Sequence, residues 1–434
     1  YAIAEKFHVD PVVARIIRNR EVIGEKNIRI YLGGNLSDLS DPHQMKDMDR
    51  LVEILAQKIR KQAHIRIIGD YDVDGVTSSH LFLTALRRVG AKVDVVIPHR
   101  IQDGYGLSLH LLQQAKEDGV DTILTCDNGI AAIDEIAWAK AQKMTVLVTD
   151  HHAVPFEEHE GRRTEKKSLA DAVVNPHQQD CRYPYKELCG AGVAWNVIRV
   201  LYENYDMDKR EAEDLLDFVA MATVCDVMSL TGENRILVKE GLKRIRHTKN
   251  IGLQALMQAC NVQPENISAY HFGYVLGPCV NATGRLDTAR HALRLFETGQ
   301  ETEAEEIARD LVDLNQERKE LTLQGVEMAK KLCEEGGYEN DPVLVLFLPD
   351  VHESIAGLIA GRIREMYNRP VFVLTRGEEG VKGSGRSTEN YSMYENMCGC
   401  AELFTKFGGH PMAAGLSLPE ENVEKFRRKI NENC

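Results

Sequence analysis

A chain of 434 residues that is 43% hydrophobic and 27% charged has the balance of a globular protein with more than one core, which excludes disorder as a starting point. Its net charge of −13 argues against a general nucleic-acid coat, although a groove needs only local basic residues and bound cations cancel acidic clusters. The longest apolar run, Val343 to Leu348, is far short of the roughly 20 residues that cross a bilayer, and no signal peptide is seen, so no membrane association and a cytoplasmic location are expected.

In chain order, Met45, Met48, Leu51, Ile54, Leu55 and Ile59 recur at spacings of three and four, which predicts a helix within Met45 to Ala63. Short apolar runs follow at Ile65–Ile68, Val93–Ile97, Thr122–Thr125, Thr145–Thr149 and Ala172–Val174, with helical patterning between most of them, as in Val76–Val89 and Ala131–Gln142. Alternating strand and helix predicts an α/β fold with a parallel sheet covered on both faces. The nearly all-charged stretch Phe156 to Ser168 is expected to be a solvated loop. Helices are predicted at Val193–Tyr205, Glu211–Val224, Arg235–Arg246 and Ala289–Glu297, and then a long charged helix over Glu301–Glu335. Beyond it, strands at Val343–Leu348 and Val371–Leu374 and a helix at Ile355–Met366 predict a smaller α/β domain, with Gly383, Gly385, Gly408, Gly409 and Gly415 as its punctuation. The expected division is a first domain over 1–300, a connector helix over 301–335 and a second domain over 336–434.

In a parallel open sheet, function gathers beyond the carboxyl ends of the strands. The first strand runs into Asp70-Tyr71-Asp72-Val73-Asp74-Gly75, the third into Asp127-Asn128-Gly129 and the fourth into Asp150-His151-His152, while Asp226 follows a helix end. Each alone is an ordinary turn, cap or surface group. Together they are a crowd of carboxylates that would not stay ionised without a counter-charge. Carboxylates with imidazole and no thiolate suit two Mn2+ or Mg2+ ions, which implies phosphoester hydrolysis. The ten cysteines, by contrast, show no paired zinc spacing.

The segments GDYDVDG, CDNG, TDHH and ATVCDV are similar to the four motifs of the DHH phosphoesterase family, in the family's order. Within the family the chain resembles the exonucleases specific for single-stranded DNA. DYDVDG lacks the histidine that cyclic-dinucleotide phosphodiesterases, nanoRNases and pyrophosphatases carry ahead of the two aspartates. IPHRIQDGYGLS, KELCGAGVAW, GPCVNATGRLDTA, HESIAGLIAGRI, KGSGRS and KFGGHPMAAG resemble further motifs of that branch, from Ile97 to Gly415.

The resemblance implies that Asp72, Asp74, Asp127, His151 and Asp226 are metal ligands, with Asp127 the bridge, and that His152 lies by the scissile phosphate. It also implies a DHH-associated second domain that closes over the first and holds substrate. There Ser384 and Arg386 hold a 5′ phosphate, the Gly383 to Ser387 turn and Gly408, Gly409 and His410 offer backbone N–H groups, and His352 touches substrate, as do Arg100, Asn281 and Arg285 of the first domain. Tyr71 and Tyr105 are candidates for stacking on a base. The expected activity is removal of mononucleotides from the 5′ end of single-stranded DNA in repair and recombination, with a helicase and a single-strand-binding protein as expected partners. That branch continues with an OB-fold where this sequence stops at Cys434, so weaker processivity is expected. The alternatives are a DHH enzyme for short oligonucleotides or cyclic dinucleotides, and a nucleic-acid-binding scaffold without catalysis.

Overall fold

The computed structural model describes residues 2–101, 103–159, 162–377 and 380–433. The chain forms two compact units, Tyr1–Val312 and Asp313–Cys434. The boundary falls inside the helix Glu301–Glu335, the long helix expected between the two domains.

In the first unit, β1 (Ile65–Ile68), β2 (Val93–Val96), β3 (Thr122–Cys126), β4 (Thr145–Thr149) and β7 (Ala172–Val174) form one parallel sheet in the order β2-β1-β3-β4-β7. The predicted strands are therefore present. β1 and β3 are buried along their whole length because helices cover both faces, which is why they are mainly apolar, with Arg66 of β1 paired to Asp94 and Asp118. The order reverses between β1 and β3, and such a switch leaves a crevice beyond the strand ends. Two helices approach that crevice. Val73–Arg88 starts directly after β1 and is buried over nearly all its length, while Leu216–Cys225 packs beside it and ends there.

The charged stretch expected to be a loop is a two-stranded antiparallel hairpin, β5 (Phe156–His159) with β6 (Arg162–Glu165). Charge marked it as exposed, and Phe156, Glu157, Glu158 and Thr164 are exposed, but the ladder bonds of a hairpin do not require a buried face. The segment expected as one helix from Glu211 to Val224 is divided into Lys209–Glu213 and Leu216–Cys225.

In the second unit, β8 (Leu344–Phe347), β9 (Val371–Gly377), β10 (Gly380–Arg386), β11 (Lys406–Gly409) and β12 (Ala413–Leu418) form a mixed sheet in the order β11-β12-β10-β9-β8. Gly383 to Ser387 is not the expected turn: Gly383 to Arg386 are the second half of β10 and are paired on both sides. A Cβ at Gly383 would come within 2.4 Å of Leu374, and one at Gly385 within 2.7 Å of Phe372. These glycines serve close packing, not chain reversal. Among the described residues no helix is long and apolar enough to cross a membrane.

One buried acid away from the crevice gives a stability prediction. Asp217 is 3% exposed, accepts from Phe218 N–H at 2.8 Å and Thr248 Oγ1 at 2.7 Å, and is pushed by burial from 3.8 to about 6. The folded state then holds a proton that the unfolded state releases, so this group's contribution falls as pH rises from about 4 to about 6, by roughly 3 kcal/mol in all. Asp217→Asn is expected to gain stability relative to the parent over that window, read by urea denaturation at pH 4 and pH 7. A difference between the two proteins that does not change with pH contradicts it.

Candidate metal centre

Four chain segments meet in the crevice, and local chemistry fixes each. Asp72 caps the helix Val73–Arg88, its carboxylate accepting from Gly75 N–H at 3.0 Å. Asp74, in the first turn, is 1% exposed and accepts from Gly190 N–H at 2.6 Å and Ala191 N–H at 2.7 Å, the first amides of the helix Gly190–Asn204. The two amides at the helix N-terminus fix the direction of the Asp74 carboxylate. That approach depends on the missing side chain at Gly190, where a Cβ would lie 2.6 Å from the Cβ of Asp127.

Asp127, 2% exposed at the end of β3, adopts φ +62° and donates its N–H to Thr149 O at 3.1 Å, which ties it to the end of β4. His151 follows β4. Its Nε2 lies 3.1 Å from Asp127 Oδ1, 3.7 Å from Asp74 Oδ2 and 3.7 Å from Asp226 Oδ2. Asp226 caps the carboxyl end of the helix Leu216–Cys225. The five residues named as ligands from the sequence are thus brought together.

The cluster falls into overlapping groups whose oxygen and nitrogen atoms lie within 4.8 Å of one another: Asp74, His151 and Asp226; Asp70, Asp72 and Asp127; and Asp127, His151 and His152. Asp127 is common to two of them, as a bridging carboxylate would be. Burial, then the neighbouring carboxylates, pushes Asp70 and Asp127 well above the ordinary carboxylate range, raises Asp72, and takes Asp226 to about 8. Two such charges about 4 Å apart repel by about 4 kcal/mol at a surface-like dielectric, too much for the whole set to ionise without a cation. The atoms agree with the charges: Asp127 Oδ1 and His151 Nε2 face each other, are buried, and have no hydrogen-bond partner among the described residues, and Asp70 Oδ1 is in the same state. Burial lowers the His151 pKa and keeps the ring neutral, with a lone pair free to coordinate. This donor set fits hard divalent cations.

Around the cluster, Asp150 turns out to be the organiser. Its Oδ1 accepts from His151 N–H at 2.7 Å, His152 N–H at 3.1 Å and His152 Nδ1 at 2.7 Å, and its Oδ2 from Ile130 N–H at 2.9 Å. Burial alone would lower His152, but Asp150 raises it to about 9, so the ring carries a proton at neutral pH. The Tyr105 hydroxyl donates to Asp127 O at 3.0 Å and lies 3.0 Å from His152 Nε2. Sequence reasoning assigned Asp150 no role and set Asp70 outside the ligand set, although both sit one or two residues from a ligand.

The other candidates of the first unit line the same region. Arg100 donates Nε–H to Gly284 O at 2.8 Å and lays its guanidinium 3.8 Å over the Tyr71 ring. That face of Tyr71 is taken, so Tyr71 is an anchor for Arg100 and not an open stacking surface. Asn281, expected to contact substrate, uses Oδ1 to accept Val73 N–H at 3.2 Å and so braces the turn that carries Asp72 and Asp74. Arg285 is next in the chain to Gly284, whose Cβ would lie 2.4 Å from Tyr71 O.

In the second unit, Ser384 and Arg386 lie on one face of β10, against Gly357 of the helix Ala356–Tyr367. A Cβ at Gly357 would be 2.8 Å from Arg386 Nη2 and 3.5 Å from Ser384 Cβ. Arg386 donates Nη1–H to Gly385 O at 2.8 Å, and among the described residues no carboxylate lies within ion-pair distance of it. Burial, and then Arg364, lower its pKa. Gly408 pairs with Gly415, which pairs with Ser384, making a cross-strand row with almost no side chains. A Cβ at Gly408 would meet nothing within 4 Å and one at Gly415 nothing nearer than 3.9 Å, so the row is an open shelf beside Ser384. Gly409 lies against Ala413 O, His410 donates its N–H to Ala413 O at 2.8 Å, and His352 caps the turn Glu353–Ile355 by accepting from Ser354 N–H at 3.3 Å.

The DHH family N-terminal domain matches residues 64–223, and the DHHA1 domain matches 340–434. The chain is 36% identical to the single-stranded-DNA-specific exonuclease RecJ of Haemophilus influenzae over 97% of its own length and 74% of that protein. The chain belongs to the RecJ family. The Bacillus subtilis RecJ is 34% identical over 99% of the chain, which spans about half, 53%, of that relative. Among solved structures, exonuclease RecJ bound to manganese matches with a TM-score of 0.77 at 31% identity, over 89% of this chain and 94% of that one. Thermus thermophilus RecJ in complex with Mg2+ matches at 0.76 and 28% identity, over 99% of this chain and 57% of that one. RecJ structures with either ion accord with the oxygen-rich donor set found here.

Proposed function

We propose that the chain is a Mn2+- or Mg2+-dependent exonuclease that hydrolyses single-stranded DNA to mononucleotides from the 5′ end, acting in the cytoplasm in DNA repair and recombination. The observation that carries the reading is the buried cluster of Asp72, Asp74, Asp127, His151 and Asp226, with orphan atoms on Asp127 and His151, in a RecJ-family chain. Two ions held there supply Lewis-acid stabilisation of phosphoryl oxygens and a water of lowered pKa. The chain's own groups do the rest. Asp74 is locked by the Gly190 and Ala191 amides, and Asp127, common to two of the ligand groups, would be the residue to hold both ions. His152, protonated through Asp150, donates to the phosphate or the leaving oxygen. Arg100 is fixed by Gly284 O and Tyr71, and meets the phosphate backbone together with Arg285. Ser384, Arg386 and the glycine shelf take the 5′ phosphate. A free single strand has to be supplied, so a helicase and a single-strand-binding protein are the partners this reading calls for.

The test is turnover, in Mn2+ and in Mg2+, of an end-labelled single strand of a few tens of nucleotides against its duplex and against dinucleotides. Stepwise release of mononucleotides from the single strand, with the duplex resistant, is expected. Faster turnover of dinucleotides than of the strand would replace this reading with a short-oligonucleotide phosphodiesterase, and DNA binding without hydrolysis in any divalent metal would replace it with a scaffold.

A further inference from the structure

The first unit carries an exposed aromatic pair that the ligand cluster does not use. Tyr270 and Tyr274 are 62% and 73% exposed, and their rings are stacked with centroids 5.2 Å apart and planes 26° from parallel. Large aromatic rings are rarely left in water side by side without a use, since each offers substantial apolar area.

Their backbone is unusual. The segment Ala269–His271 passes into a π-helical turn, Phe272–Leu276, closed by Gly277 N–H donating to Phe272 O five residues back. Such turns concentrate at functional sites because they re-aim side chains. This one is fastened to the metal centre's own scaffold. Cys225, which directly precedes Asp226, donates its thiol to Phe272 O at 3.3 Å, and a Cβ at Gly277 would lie 2.3 Å from Cys225 Sγ. A Cβ at Gly273 would lie 3.4 Å from Val224. Tyr274 stands between these two glycines, within about one helical turn of the anchor for Asp226.

On the other side of Asp226, Val227 is 88% exposed and adopts φ +56°, a conformation that a β-branched residue avoids. Strain and an exposed valine thus coincide next to a ligand. The helical stretch continues through Gly277–Leu286, where Asn281 braces Val73 and Gly284 abuts Tyr71. It therefore runs past the cluster from the Asp226 segment to the Asp72 segment, with the tyrosines at its beginning.

We propose that Tyr270 and Tyr274 form a stacking platform for bases of the single strand that lie beyond the nucleotide being removed. Any base has a π-face, so the platform grips without reading sequence, and a purine and a pyrimidine are held alike. The inference rests on the single-strand reading given above. Tyr270 and Tyr274 are positioning residues that hold the strand in register while the cluster acts.

The experiment compares the parent, Tyr274→Ala, Tyr270→Ala/Tyr274→Ala and Tyr274→Trp, all checked for unchanged melting temperature. KM and kcat are measured on a labelled strand of a few tens of nucleotides, and strand affinity by fluorescence anisotropy in EDTA. Tyr274→Ala is expected to raise KM roughly tenfold, the scale of losing one stacked base, with kcat changed by less than about twofold. The double variant is expected to lose more and Tyr274→Trp to recover parental KM. Unchanged KM and affinity in the double variant overturn the platform. If the parent binds the strand through the tyrosines but does not hydrolyse it, the platform stands and the exonuclease reading fails. If the parent neither binds nor cleaves the strand, both fall.

Discussion

Asp127→Ala is expected to abolish hydrolysis, by at least about a thousandfold in single-turnover cleavage of a labelled strand, while leaving the fold intact. Asp127 belongs to two of the three groups of potential ligands, so its loss would withdraw a donor from both groups at once. The fold is expected to survive because the residue is a like charge among like charges, raised well above its ordinary pKa by burial and by Asp74, Asp72, Asp70 and Asp150. Removing it relieves repulsion. The metal-free variant should therefore melt at or above the parent's temperature, and the rise in melting temperature that saturating Mn2+ gives the parent should be largely lost. Residual activity within about tenfold of the parent would contradict the bridging role.

The second large effect is expected at Arg386. Its guanidinium is partly buried, has Arg364 as a like-charged neighbour, and meets no carboxylate among the described residues, an arrangement that leaves its charge to an incoming anion. Arg386→Ala is expected to reduce the preference for 5′-phosphorylated over 5′-hydroxyl strands by roughly ten- to a hundredfold, the range of a charge-assisted contact. Arg386→Lys should restore little, because an ammonium lacks the planar fork. The measurement is kcat/KM on the two strands for each protein. A preference that survives in Arg386→Ala removes the arginine from the phosphate site.

How far the fold could be read beforehand depended on whether a signal was local. The parallel strands were legible because burial on both faces writes a short, mainly apolar run, and the helix Ala289–Glu297 because its apolar face repeats strongly. The ligands were legible because a parallel sheet delivers strand ends to one edge, so acids after Ile68, Cys126 and Thr149 had to converge. What failed was set by partners distant in sequence. Gly383 and Gly385 have the composition of a turn, and only Leu374 and Phe372 pressing on them make them a strand. Tyr71 has the look of a base-stacking ring until Arg100 is seen to cover one face, and the bond by which Asn281 Oδ1 braces Val73 N–H leaves no mark on the local sequence. Asp150 went unassigned because one carboxylate among many shows its role only through the four bonds it accepts.

The ligands are drawn from segments as far apart in the chain as Asp72 and Asp226, and Asp74 reaches its working position only once the Gly190–Asn204 helix has arrived to clamp it. No nascent fragment that ends before Asp226 can hold the complete ion pair, whatever the local order of its first strands. On the proposed reading, hydrolysis therefore cannot begin until Asp226 has been made and the covering helices have packed on the sheet.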